Sequence, residues 1–203
     1  MFNDSYLTVK QSAQGQYKDK GSKFIGYIFP IQSAEDVKEI LTKLKTEHPK
    51  ARHFCWALRL STDRSVYRVN DDGEPSGTAG KPILNTLLST NLTQVCVAVV
   101  RYFGGTLLGV PGLIHAYKEA SLEAIKEAEI IEKTIKDRYQ LHVPYTQLNS
   151  VMKILKDEEI TIIAQELDTE CKLVIEIRQN FVLKIITQLE NINNLRLIYI
   201  SIL

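Results

Sequence analysis

The last third of the chain shows its elements most plainly. Tyr139, Leu141 and Val143 alternate with Gln140 and His142, the period-two pattern of a half-buried strand. Pro144 ends the pairing and opens a helix at its first turn. The apolar face of that helix is Leu148, Val151, Met152 and Leu155, at i, i+3, i+4 and i+7. Asp157-Glu158-Glu159 breaks the pattern, residues 160–167 read as a strand, and Asp168-Thr169-Glu170 as a turn. Leu173, Ile175 and Ile177 then alternate with Val174, Glu176 and Arg178. Asn180 is placed to cap a helix that sets Val182, Ile185, Ile186 and Leu189 on one face, and a polar break at 191–194 precedes a final strand over 195–200. The order β-α-β-β-α-β is the split-βαβ, ferredoxin-like arrangement. A unit of residues 138–203 is marginal by itself, so a larger neighbour is expected over residues 1–137.

In that neighbour, residues 6–12, 16–20 and 22–29 read as strands punctuated by Gly15 and Gly21. Ser33 caps a helix that runs to about Glu47, with Val37, Ile40, Leu41 and Leu44 on its face, and Pro49 stops it. Residues 54–60 and 65–69 form a hairpin across Thr62-Asp63-Arg64. A loop from Asn70 leads to a helix starting near Lys81-Pro82. Residues 94–103 make a nearly unbroken apolar strand, the kind buried on both faces. A glycine-rich turn over 104–112 feeds a long helix to about Glu129, so strand, turn and helix predict an α+β or α/β domain.

Composition narrows the function classes. Of 203 residues, 44% are hydrophobic and 24% charged, and 25 Lys and Arg against 24 Asp and Glu give a formal charge of +1. Residues 1–137 hold 18 basic and 16 acidic side chains, residues 138–203 hold 7 and 8, so neither part is a basic domain. A histone-like mode of nucleic-acid binding is excluded; a local basic patch is not. Cys55, Cys96 and Cys171 form no C-x-x-C pair and read as small buried hydrophobes in a reducing cytosol. No stretch reaches the ~18 apolar residues of a membrane span, and Met1-Phe2-Asn3-Asp4-Ser5 lacks the features of a signal peptide. The expected setting is cytoplasmic, with no membrane partner.

Two loops carry the candidate chemistry. In Asp71-Asp72-Gly73-Glu74-Pro75-Ser76-Gly77-Thr78-Ala79-Gly80-Lys81-Pro82, the second half sets Ser76, Thr78 and Lys81 at a helix start, where backbone N–H groups favour an anion. It is not a phosphate loop of the G-x-x-x-x-G-K-[ST] kind: Pro75 stands where its first glycine belongs, and Pro82 where its hydroxyl should hold magnesium. Asp71, Asp72 and Glu74 fit no metal spacing and read as a braced, solvated turn. In Arg101-Tyr102-Phe103-Gly104-Gly105-Thr106-Leu107-Leu108-Gly109-Val110-Pro111-Gly112, the spacing departs from the dinucleotide fingerprint. What is left is a glycine-lined helix entry with Arg101 for a phosphate. Tyr102 and Phe103 serve either as stacking faces or as core. His48, His53, His115 and His142 share no metal spacing and have no Ser or Cys partner, so no metal, no cofactor and no nucleophilic triad is expected.

Gly21-Ser22-Lys23-Phe24-Ile25-Gly26, the 71–82 loop, and Arg101-Tyr102-Phe103-Gly104-Gly105 with Leu108-Gly109 and Ala116-Tyr117 together resemble the IMPACT family, over nearly the whole chain. The resemblance implies an N-terminal domain like the second domain of ribosomal protein S-five. It also implies a C-terminal ferredoxin-like domain like the last domain of elongation factor G. Leu107, Pro111 and His115 depart from the bacterial pattern, in which lysine, glycine and arginine are common at those places. Protonation of His115 beside an anion returns part of that charge.

The resulting expectation is a cytosolic protein associated with RNA or the ribosome in translation regulation, without readable catalytic machinery, and with a protein partner in translation control as the other expected contact. Its anion-binding residues are expected to be Lys23, Ser76, Thr78, Lys81, Arg101, Gly104, Gly105 and His115. Four phosphate contacts predict a log–log salt slope of about −3 for single strands. The alternative is an enzyme that handles a small anionic ligand between the two loops, with Asp72 or Glu74 as base and Arg101 as clamp.

Overall fold

The computed structural model describes residues 4–61, 65–168 and 171–202. The expected turns at 62–64 and 169–170, and the first three residues, lie outside these. The fold is α+β, and the described residues form two compact units, residues 6–133 and residues 4–5 with 134–202.

The first unit is built on a five-stranded sheet from β2 (Ala13–Asp19), β3 (Ser22–Pro30), β4 (His53–Leu60), β5 (Val66–Asn70) and β6 (Val95–Tyr102), in the order β2-β3-β6-β4-β5. Every neighbouring pair is antiparallel. The apolar run that suggested a strand buried on both faces is the central strand β6. Its burial comes from helices on both sides of an antiparallel sheet, not from parallel pairing. Val95, Val97 and Val99 pack into one core with Ile83 and Leu87 of α2 (Gly80–Ser89) and Leu113, Ala116 and Ala120 of α3 (Gly109–Lys126). Ala98 and Val100 face the other way, packing with Phe54 and with Leu44 of α1 (Asp36–Glu47).

Gly15 does not interrupt a strand. It lies within β2, directly opposite Gly26 of β3. A Cβ on Gly15 would run into the backbone of Glu123 and Ala124, and one on Gly26 into the carbonyl of Ala120. The two glycines thus make a flat place on the sheet where α3 lies close.

Other boundaries shift for local reasons. Ser33 precedes α1 without capping it: the Asp36 carboxylate accepts from the N–H groups of Gln32 and Ser33 and from the Ser33 hydroxyl. These bonds hold the Asp36 carboxyl below the usual carboxylate range. The long helix stops at Lys126, and the chain then forms β7 (Ile130–Thr134), which pairs with β1 (Ser5–Val9) as a separate two-stranded sheet.

The second unit contains β8 (Lys136–Val143), α4 (Leu148–Asp157), β9 (Thr161–Leu167), β10 (Cys171–Arg178), α5 (Val182–Glu190) and β11 (Arg196–Ile202). Its sheet order, β11-β8-β10-β9, and its antiparallel pairs are those of the split-βαβ arrangement. Leu141, Leu173, Ile175, Val151 and Ile185 fill its core. Pro144 and Asn180 do not open the α-helices. Each helix is instead entered through one 3₁₀ turn, Tyr145–Gln147 and Gln179–Phe181.

Candidate functional site

The register of the five-stranded sheet gathers distant residues at one end. Arg101 stands across from Phe24 on one side and from His53 on the other, and Tyr102 stands across from Lys23. Beside this end lies a cleft of about 770 Å³, walled by three segments: Lys50, Arg52 and His53; Gly73, Glu74 and Pro75; and residues from Arg101 to Leu113. The two loops singled out in the sequence therefore meet in space. They are joined by residues of a third segment, 50–53, that sequence reasoning missed.

Behind the wall is a buried polar network. Arg101 Nη1 donates to Glu74 Oε1 at 2.5 Å, and the Tyr117 hydroxyl donates to the same oxygen at 2.7 Å. Both charged side chains are almost wholly buried, 6% and 4% exposed, so the pair is a closed contact and not a clamp awaiting a ligand. The guanidinium carbon lies over the rings of Phe24 and Phe103, 5.4 and 5.7 Å from their centroids. The Cys55 thiol has two acceptors for its one proton within reach, the Asp71 carbonyl at 3.0 Å and the Tyr117 oxygen at 3.3 Å. Burial pushes the Cys55 thiol and the Tyr117 phenol upward, so both stay protonated. The remaining cysteines are buried as well, and burial alone pushes Cys96 up to about 12.

The neighbouring carboxylates are also used internally. Burial works to raise the Asp71 carboxyl, but the N–H groups of Gly77, Gly80 and Ala79 outweigh it and leave Asp71 below its ordinary value. Asp72 Oδ2 accepts from the Phe54 N–H at 2.7 Å. The cations behave differently. Lys50 and Arg52 are exposed, and neither they nor Lys23 makes an ion pair among the described residues. Phe103 is 53% exposed and Leu107 83%, so the wall contributed by the second loop is apolar and aromatic.

The other expected residues have varied surroundings. Thr78 is buried and its hydroxyl donates to the Pro75 carbonyl. Ser76 and Lys81 are exposed but do not line the cleft. The Gly104 N–H is taken by the Ser22 hydroxyl at 3.1 Å, and a Cβ there would strike the Gly21 backbone. Gly105 turns the chain at φ +87°. His115 lies exposed on α3, 3.8 Å from Glu119 and edge-on to Tyr17, outside the cleft. Among the described residues, no three His, Cys, Asp or Glu side chains come together to hold a metal ion, and no helix is long and apolar enough to cross a membrane.

Residues 20–125 match the profile of the Impact N-terminal domain. The chain is 37% identical over 179 residues to an IMPACT family member of Haemophilus influenzae (strain ATCC 51907 / DSM 11121 / KW20 / Rd), covering 86% of this chain and 85% of that one. It is 36% identical over 138 residues to the IMPACT family member YigZ of Escherichia coli (strain K12), covering 67% and 68% respectively. A crystal structure described only as that of a hypothetical protein superposes with a TM-score of 0.73 at 29% identity, over 98% of this chain and 99% of that one. The stretches that carry the sequence resemblance are those that meet behind the cleft: Ser22 on Gly104, Glu74 on Arg101, and Tyr117 on Glu74.

Proposed function

Since the chain belongs to the IMPACT family, we propose that it is a non-enzymatic protein of translation control that binds RNA, free or on the ribosome, through the cleft at the end of the five-stranded sheet. One observation carries this reading. Asp71, Asp72 and Glu74 all spend their charge on internal hydrogen bonds, while Lys50 and Arg52 stand exposed, without an ion pair among the described residues, in the wall of the cleft that Phe103 also lines. Cations that track a phosphate backbone beside an aromatic face for a base are what a single strand requires. Glu74 is engaged by both Arg101 and Tyr117, which makes it a structural anion and not a base.

The test is co-sedimentation with ribosomes and with a total RNA pool across a salt series. Lys23 stands on the neighbouring strand and does not line the cleft; the two phosphate contacts that do, from Lys50 and Arg52, correspond to a log–log slope of about −1.4 at roughly −0.7 per contact. Lys50→Ala with Arg52→Ala is expected to bring that slope close to zero and weaken binding at every salt concentration. A wild-type slope near zero, or undiminished affinity in the double variant, removes RNA from this cleft. Arg101 is the wrong residue for the test, because its removal leaves Glu74 buried without a counter-charge.

A further inference from the structure

We propose that His53 reads the ribose 2′-hydroxyl, so that the cleft selects RNA over DNA; this rests on the RNA reading of the cleft given above. His53 opens β4 and forms part of the cleft wall next to Lys50 and Arg52. Its Nδ1 lies 2.9 Å from the backbone carbonyl oxygen of Asp72. A carbonyl only accepts, so Nδ1 carries the proton, and in the neutral ring Nε2 is left as an acceptor. Nε2 has no hydrogen-bond partner among the described residues.

The Asp72 carbonyl that sets this tautomer is itself held. The Asp72 carboxylate accepts from the Phe54 N–H at 2.7 Å, and the Asp72 N–H donates to Asn70 Oδ1 at 2.7 Å. The ring is therefore fixed from behind by the backbone of two anchored segments.

Each part of a ribonucleotide then finds one chemistry in the wall. Phosphate oxygens only accept, and Lys50 and Arg52 only donate. A base has a π-face, and Phe103 offers one, backed by the Arg101 guanidinium. The hydroxyl that separates ribose from deoxyribose is a donor, and the His53 Nε2 is its acceptor. Tyr102, the residue of the same wall that carries a hydroxyl, is already engaged at 2.8 Å with His48 Nδ1.

The experiment is fluorescence anisotropy at pH 8 with three labelled twelve-nucleotide probes: oligo-uridine, oligo-deoxyuridine and 2′-O-methyl oligo-uridine. Wild type is compared with His53→Phe, which keeps a ring and removes the acceptor, and with Lys50→Ala/Arg52→Ala. The wild-type protein is expected to prefer oligo-uridine to both other probes by about three- to tenfold, the worth of one hydrogen bond. The His53→Phe variant is expected to bind all three alike, at about the deoxyuridine affinity of the wild type, and the cation variant to lose affinity for all three while keeping the ratio. Equal wild-type affinities, or a preference that persists in His53→Phe, overturn the role of His53 and leave RNA binding standing. Failure of the wild type to bind any probe overturns both. Unfolding of His53→Phe, seen by circular dichroism, is met by reading the same ratio in His53→Gln, whose carbonyl retains an acceptor and is expected to keep the preference.

Discussion

Glu74 Oε1 accepts from both Arg101 and Tyr117 inside the first unit, and that shared oxygen makes the two charges inseparable. Removing one member of a buried ion pair strands the other, at a cost of about 3–5 kcal/mol, whereas replacing both with apolar groups of similar volume is often near neutral. Arg101→Met and Glu74→Leu are each expected to be destabilised by that amount in urea unfolding, and the double variant to recover most of the loss. An additive double variant would show that the pair contributes nothing beyond its two separate side chains. Both residues stood out in the sequence, one in each candidate loop, but their burial did not. A glycine-rich loop with an arginine reads equally as an open phosphate cradle or as a closed brace, and only the Oε1 contact decides it. Lys50, Arg52 and His53 were illegible for a different reason. They follow Pro49 in an ordinary helix-to-strand connection, and nothing local says that antiparallel register will bring them beside residues some fifty positions later.

The two glycines under α3 show how an element is placed by what a strand leaves out. The obstacle to a Cβ at Gly26 is the Ala120 backbone carbonyl, not a side chain. Gly26→Ala is expected to cost about 1–3 kcal/mol through overpacking. Ala120→Gly added to it is expected to give no rescue and to lose about 1 kcal/mol more from helix propensity, read as urea midpoints; recovery would mean that side-chain crowding is the cause. Periodicity revealed the helices and strands whose faces are one-sided, above all β8 to β11. It missed β7, where Glu127-Ala128-Glu129 carries no Gly or Pro to mark the end of the helix and the strand that follows is mostly exposed. It also read Gly15 as punctuation, because close helix packing and a turn ask for the same residue.

At the scale of the whole chain, near-neutral charge on both sides of residue 137 leaves a polyanion contact to local groups of cations and not to a basic domain. Charge also ties the first described residue to the second unit: Arg178 Nε and Nη2 donate to the Asp4 carboxylate at 2.6 and 2.8 Å. These bonds hold the Asp4 carboxyl below its ordinary value of 3.8, against the opposing effect of burial. A depressed carboxylate stabilises the fold fully above its unfolded value and loses that contribution as pH falls through the lowered one. Protection against amide exchange in residues 134–202, relative to the unfolded chain at the same pH, is therefore expected to fall on acidification below about pH 4, and Asp4→Asn to be less protected at neutral pH with a flatter acid response. An unchanged acid response in Asp4→Asn would assign the sensitivity to Glu176 or Glu158, whose carboxyls are lowered by Arg138 and by Lys184.

The same connection sets an order of events during synthesis. Asp4 accepts from the Ile135 N–H and from Arg178, so everything in residues 6–133 is made between it and its partners. β11, which closes the second sheet against β8, is made later still. At roughly 5–20 residues per second, the second unit trails the first by several seconds on the ribosome. The cleft of the first unit, complete once Leu113 and Tyr117 have emerged, is thus poised to form while the chain is still attached to the particle that made it.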